Sequence, residues 1–331
     1  MCTAAVYHGR DIYMGRTLDY EFSYGEEVVL TPRGFPLPLR HGGGTPAHYA
    51  LLGTAHMEDG YPLYYDAVNE KGLGMAGLSF PRSARYAPYR EGRQSVAPFE
   101  LLPLVLGRCA AVDEARALLR EVRVTDTPFS DRLPAARLHW LLADAGGSAI
   151  AVEPTAEGLR VYDAPARVLT NEPPFPMQML LLDHYMALSP KPPENRFSPV
   201  LPLAAYSRGM GALGLPGDLS SPSRFTRAAF TALHALRAAD GDADVGQMFH
   251  ILGSVEQVAG CCELADGSHE RTIYTACWNA ARGIYYYTTY TNRRITAVDM
   301  HREDLDGTAL RRWPMRQAED IRWENASGGT A

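Results

Sequence analysis

An α+β protein built in layers is the fold class this sequence predicts, and three observations predict it. Strand-length apolar runs punctuated by Gly, Pro and Asp open and close the chain. Runs with helical spacing fall in two blocks between them. Strands and helices therefore come in groups (sheet, helices, sheet, helices, sheet) rather than in the strict alternation of a doubly wound fold. No GxGxxG or GxxxxGK[ST] phosphate loop is present, and GMGALG at 209–214 lacks the strand and helix that would make it one.

In chain order, CTAAVY, DIYMGR and EEVVLTP have strand length, and GGGTP at 42–46 is a loop. Residues 61–80 read as two strands joined through the turn cluster Asn69-Glu70-Lys71-Gly72. SVAPFELLPLVLGRC and AVDEARALLREV are helical, with Asp113 and Glu114 where the helix dipole favours negative charge. Residues 137–155 form a hairpin around Asp144-Ala145-Gly146-Gly147, where glycine supplies positive φ. GLRVYDAP and ARVLTN continue as strands, and MQMLLLDHYMAL is helical. SRFTRAAFTALHALRAA is a helix entered at Ser221-Pro222, a cap followed by proline, with Phe225, Ala229, Leu233 and Leu236 on one face. RTIYTACWNAARGIYYYTTYTNRRITAVDM supplies the last strands, turning near Ala281–Gly283, and the tail after about 318 frays. One domain spanning 2–331 is expected.

Composition narrows the function classes. With 46% apolar and 21% charged residues, the 331-residue chain has ample core for a globular protein. The net charge of -6 is interspersed and no Lys/Arg run occurs, which argues against nucleic acid. The longest apolar stretch, PFELLPLVLG, is too short to span a bilayer and carries Glu100. The N-terminus lacks the basic start and apolar block of a secretory signal, so a cytoplasmic enzyme is expected, without membrane partner. Five cysteines at irregular spacing fit neither a disulfide framework nor a zinc site, so neither metal nor cofactor is expected. Cys261-Cys262 reads as a core or strand pair, with a vicinal disulfide or redox pair as the alternative.

Cys2 stands apart by position. Loss of Met1 would leave a thiol and a free α-amine on adjacent carbons of one residue. The thiolate is a strong nucleophile, and a terminal amine is a recognised activating base. On position alone Cys2 can equally be the residue that happens to follow the start codon. GRTLDYE then puts Arg16 and Asp19 on the strand that pairs antiparallel with CTAAVY. A guanidinium beside a thiol favours the thiolate, and a carboxylate near the new terminus can hold its amine. An Arg/Asp pair this close in sequence is equally compatible with a surface ion pair.

Six stretches, in order, carry a family resemblance: MCTA, GRTLDYE, AVNEKGLGMAGLSFP, LTNEPPFPMQ, LGLPGDLSSPSRFTRAAF and TIYTACWNAARGIYYYTTYTNRRITAVDM. The chain resembles the choloylglycine hydrolases, that is bile salt hydrolases and penicillin V acylases, within the N-terminal nucleophile hydrolases. The resemblance implies a four-layer αββα sandwich, two antiparallel sheets between helical layers. It implies Cys2 as nucleophile, Arg16 and Asp19 as its organisers, Asn171 as oxyanion donor and Arg224 as a further charged member of the site. Taken alone, Asn171 also fits a turn-initiating residue before Glu-Pro-Pro, and Arg224 a solvated helix arginine. Where bile salt hydrolases carry Leu-Asn-Phe-Pro, this chain has Leu78-Ser79-Phe80-Pro81; the Ser79 backbone N–H can still serve an oxyanion hole.

The resemblance also implies substrate loops, here EFSYG, AHMEDGYP and TPFSDRLP. Phe22, Tyr24, Met57, Tyr61, Phe129 and Leu133 are their apolar candidates for the walls around an amphipathic amide. Arg208, in YSRGMG, is the candidate partner for the carboxylate or sulfonate of a bile conjugate, and Ser207-Arg208-Gly209 looks like the glycine-preferring type. The expected reaction is hydrolysis of conjugated bile salts to release glycine or taurine. Penicillin V or N-acyl homoserine lactones are alternative substrates, and a non-catalytic steroid- or acyl-binding protein or a thiol redox protein the alternatives from other classes. A homotetramer is what the family implies for assembly.

Overall fold

The structure is a computed structural model that describes residues 1–42, 44, 47–92 and 94–325. Most of the GGGTP segment and the last six residues of the tail lie outside the described residues. Two antiparallel sheets lie face to face. The first runs, edge to edge, through Val168–Leu169, Cys2–His8, Ile12–Tyr20, Arg271–Asn279, Ile284–Thr289 and Asn292–Asp299. The second runs through Gly158–Asp163, Ala149–Thr155, Leu138–Ala143, Gly74–Ser79, Tyr61–Asn69, Leu51–Glu58, Glu27–Thr31 and Arg311–Pro314. Helices Ser221–His234 and Gly241–Gly253 cover the outside of the first sheet, and Pro98–Arg108 and Val112–Glu121 the outside of the second. This is the expected four-layer αββα sandwich.

Burial follows from the layering. Because both faces of each sheet are covered, Cys2–Tyr7 is a continuous buried run rather than an alternating one. Within the second sheet the pleat sorts residues by parity. Val68, Ala76, Leu78 and Leu141 face the other sheet, whereas Ala67, Met75 and Leu142 face the helix Pro98–Arg108. Gly74 faces the other sheet, and an added Cβ there would lie 2.3 Å from the indole nitrogen of Trp278. Gly74→Val is therefore expected to cost about 1–3 kcal/mol through overpacking, measurable as a lower urea midpoint at unchanged slope.

Several elements differ from expectation. The helix after the second block spans Ser221–His234, one residue earlier than the expected cap, with Ser220 at the N-cap. Its buried stripe is Phe225, Ala228, Ala229 and Ala232; Leu233 is half-exposed, and Leu236 lies beyond the helix, exposed. Helix Gly241–Gly253 was not expected, since Gly246 interrupts its apolar spacing. It is started by Asp240, whose side chain accepts from the N–H of Ala243 at 2.8 Å. Strand Arg311–Pro314 adds an unexpected edge beside Glu27–Thr31. Cys261 and Cys262 sit in a turn, exposed and half-buried, rather than in the core or a strand, and both are free thiols. Among the described residues no helix is long and apolar enough to cross a membrane.

Candidate active site

The hairpin Cys2–His8/Ile12–Tyr20 builds the first half of the site. Its register sets Cys2 opposite Leu18 and Ala4 opposite Arg16. Cys2, Arg16 and Asp19 are all buried. Arg16 Nη2 donates to Cys2 Sγ at 2.7 Å, which puts a buried positive charge against the sulfur. Asp19 accepts from the hydroxyls of Thr17 at 3.0 Å and Thr272 at 2.7 Å. With Met1 attached, the Met1 amine donates to the Asp19 backbone carbonyl and lies 2.9 Å from Glu270 Oε1. Burial raises the Glu270 carboxyl above its ordinary range, with the ammonium opposing and Asp19 reinforcing.

A break in the second sheet makes room for the arginine. Tyr65 is bulged out of the register between Leu51–Glu58 and Tyr61–Asn69, and the ladder to Gly74–Ser79 stops at Asp66–Ala76. The freed carbonyls of Gly77 and Tyr65 accept from Arg16 Nη1 at 3.2 and 3.4 Å, and Arg16 Nε donates to Thr17 O at 3.1 Å. Asp66 Oδ2 lies 3.8 Å from the same Nη1. Burial works against the charge on Arg16, but Tyr274, the Cys2 thiol, Asp66 and Asp19 outweigh it and raise its pKa.

Asn171 and Arg224 supply the second half. Asn171 follows strand Val168–Leu169, and its backbone N–H donates to Ser221 Oγ at 2.8 Å. Its Oδ1 accepts from Cys2 N at 2.9 Å and Arg224 Nη2 at 2.7 Å, and its Nδ2 donates to Ser79 O at 2.8 Å. Two donors on one side and an acceptor on the other fix which way the amide points. Arg224 is buried rather than solvated. Its Nη1 donates to Cys2 O and Thr3 Oγ1, each at 2.6 Å, and its Nε to Leu219 O at 3.0 Å. Burial lowers its pKa, with Asp19 and Cys2 opposing. Cys2, Arg16, Asp19, Ser79, Asn171 and Arg224 are thus gathered from four separate segments.

An apolar cavity of about 360 Å³ reaches this cluster at Tyr65 and Gly77, the residues whose carbonyls hold Arg16. Tyr24, Phe129 and Leu133 line it. Three other apolar candidates do not. Tyr61 stands edge-on to Phe99, whose ring does line the cavity, at 5.8 Å. Met57, partly buried, packs against the core under the helices, because its position in the strand turns it to the far face. Phe22 is 47% exposed and contacts Tyr20 and Tyr24. Arg208 is exposed in the loop before the 3-10 turn Met210–Ala212 and does not line the cavity. Sequence reasoning missed His56, Phe99 and Leu138 as lining residues, and Asp66, Glu270 and Ser221 around the cluster. No group of three or more His, Cys, Asp or Glu able to hold a metal occurs among the described residues.

Known proteins are similar to this chain over nearly its whole length. The model of the linear amide C–N hydrolases, choloylglycine hydrolase family, matches residues 2–312. A bile salt hydrolase/transferase of Lactiplantibacillus plantarum is 48% identical over 316 residues, covering 96% of this chain and 97% of that protein. One from Bifidobacterium longum is 37% identical over 94% of this chain and 98% of its own length. The structure of a variant of the conjugated bile acid hydrolase from Clostridium perfringens, 33% identical, superposes with a TM-score of 0.91 over 98% of this chain and all of that one. Penicillin V acylase from Agrobacterium tumefaciens shares the fold, with a TM-score of 0.77 at 20% identity over 94% of this chain and 90% of that one. The fold is that of an N-terminal nucleophile hydrolase, and the chain belongs to the choloylglycine hydrolase family, hydrolases of linear amides.

Proposed function

We propose that the protein hydrolyses the amide bond of conjugated bile salts and releases glycine or taurine, with Cys2 as nucleophile once Met1 is removed. The observation that carries this reading is the Arg16 guanidinium 2.7 Å from Cys2 Sγ, held by the carbonyls of Tyr65 and Gly77, two residues that line an apolar cavity. The names of the relatives support the substrate class. The Cys2 thiolate adds to the carbonyl carbon and the C–N electron pair leaves on nitrogen, which takes its proton from the Cys2 α-ammonium. Water then cleaves the thioester, the α-amine accepting one proton, to give the free acid and the regenerated thiolate and α-ammonium. Ser79 O takes one of the two Nδ2 hydrogens of Asn171, leaving the other for the oxyanion, together with the Ser79 backbone N–H. Asp19 and Arg224 hold the two strands and the amide in register.

The test is release of glycine and taurine from glycocholate and taurocholate, run beside penicillin V and an N-acyl homoserine lactone. Preferential release from the bile conjugates supports the reading. Faster turnover of either alternative, or no turnover at all, overturns it. Phe129 and its neighbours bind the apolar body remote from the reacting bond. Phe129→Ala is accordingly expected to raise KM roughly 5–20-fold at nearly constant kcat, checked by initial-rate kinetics on glycocholate.

A homo-oligomer, a tetramer by family resemblance, accords with the exposed apolar side chains of Phe197, Val200, Tyr206 and Leu213 on one segment. Phe197→Asp with Tyr206→Asp is expected to lower the mass in solution by light scattering while the circular dichroism of the fold is kept. A cytoplasmic location accords with the adjacent unbonded thiols Cys261 and Cys262.

A further inference from the structure

We propose that Asp66, clamped by Tyr274 and Tyr285, is the positioning residue that aims Arg16 at the Cys2 sulfur. The inference rests on the reading of Cys2 as the nucleophile. Asp66 is fully buried on the inner face of the second sheet, whereas Tyr274 and Tyr285 come from adjacent strands of the first. Tyr274 donates its hydroxyl to Asp66 Oδ2 at 2.5 Å, and Tyr285 donates to Oδ1. Tyr285 shares a further hydrogen bond of 2.6 Å with Thr54 Oγ1. Burial pushes both phenols well above their ordinary range, so they remain protonated donors. Burial also raises the Asp66 carboxyl, with Arg16 and the two hydroxyls opposing.

The arrangement answers a physical difficulty. A guanidinium with no exposure needs a fixed counter-charge or its desolvation is uncompensated. Asp66 Oδ2 lies 3.8 Å from Nη1, whereas Nη2 is the nitrogen that touches the sulfur. The Arg16 guanidinium carbon also lies over the ring of Tyr274, 5.8 Å from its centroid. The bulge at Tyr65 serves both ends: it turns its own carbonyl toward Arg16 and sets the next residue, Asp66, beside Nη1. The clamp therefore joins the two sheets at the guanidinium that touches the sulfur.

The test is a double-mutant cycle in the full chain. Asp66→Asn is expected to lower kcat on glycocholate by about 10–100-fold with KM within about twofold, and Arg16→Met to lower it more. Adding Asp66→Asn to Arg16→Met should change kcat by less than about twofold, because the carboxylate acts only through the arginine. Losses that multiply, or wild-type kcat in Asp66→Asn, overturn the proposal. Should Asp66→Asn not fold, Tyr285→Phe keeps the carboxylate and removes one donor. It is expected to lower kcat by about 3–10-fold with the same coupling to Arg16→Met; no effect, or no coupling, again overturns it. Alkylation of Cys2 by iodoacetamide, followed by peptide mass, needs no substrate. Asp66→Asn should alter its rate in the Arg16 chain and leave it unaltered in Arg16→Met. A wild-type chain that releases neither glycine nor taurine ends the functional reading, while the alkylation cycle still decides this one.

Discussion

Cys2→Ala should release no glycine above background, and Cys2→Ser should lose more than about a thousandfold in kcat. Both should keep the wild-type melting temperature, because the side chain is small and Arg16 retains the carbonyls of Thr17, Gly77 and Tyr65. A hydroxyl ionises far less readily than a thiol, and one guanidinium does not close that gap. A chain given an N-terminal extension that cannot be removed should be equally inactive, for an independent reason. Its Cys2 nitrogen remains an amide whose N–H is already given to Asn171 Oδ1, so it neither gives a proton to the leaving amine nor takes one from water. Intact mass and glycine release on the same sample make the comparison. Wild-type rates from material that retains Met1 would refute the mechanism; wild-type rates in Cys2→Ser would refute the nucleophile.

The reach of the sequence depended on whether partners are local. Cys2, Arg16 and Asp19 share one hairpin, so strand periodicity alone brings them onto paired strands. Asn171 and Arg224 are joined to Cys2 across 169 and 222 residues, and only the order of the six family stretches pointed to them. Arg224 shows why composition misleads there. Helix spacing sets it beside the apolar stripe and suggests solvent, yet the helix packs on the first sheet and buries it completely. Asp66 was invisible because its partners, Tyr274 and Tyr285, are more than 200 residues away and lie in the opposite sheet. Ser221, read as a cap, instead accepts from Asn171 N and bonds Thr170 Oγ1. Loop residues fared worst. Alternation along Leu51–Glu58 decides whether Met57 faces the cavity or the helices, and a loop label carries no parity.

Asn171→Asp should lower kcat by about 10²–10³-fold while KM stays near wild type, since the apolar cavity is untouched. The substitution keeps the size and shape of the side chain and changes its hydrogen-bonding faces and its charge. One carboxylate oxygen still accepts from Cys2 N and from Arg224 Nη2. The other replaces Nδ2 and faces the Ser79 carbonyl oxygen, 2.8 Å away in the wild type, with no hydrogen to give. Two acceptors then oppose each other at the point where negative charge develops during addition, and a fixed negative charge is added beside it. Asn171→Ala removes the donor without adding charge and should fall in the same range. It deprives Arg224 of one of its four acceptors and so should melt lower, whereas Asn171→Asp preserves that contact. The pair separates chemistry from scaffolding: equal losses of kcat with unequal melting temperatures assign Asn171 to the oxyanion. An Asn171→Asp chain within tenfold of wild-type kcat would remove it from that role.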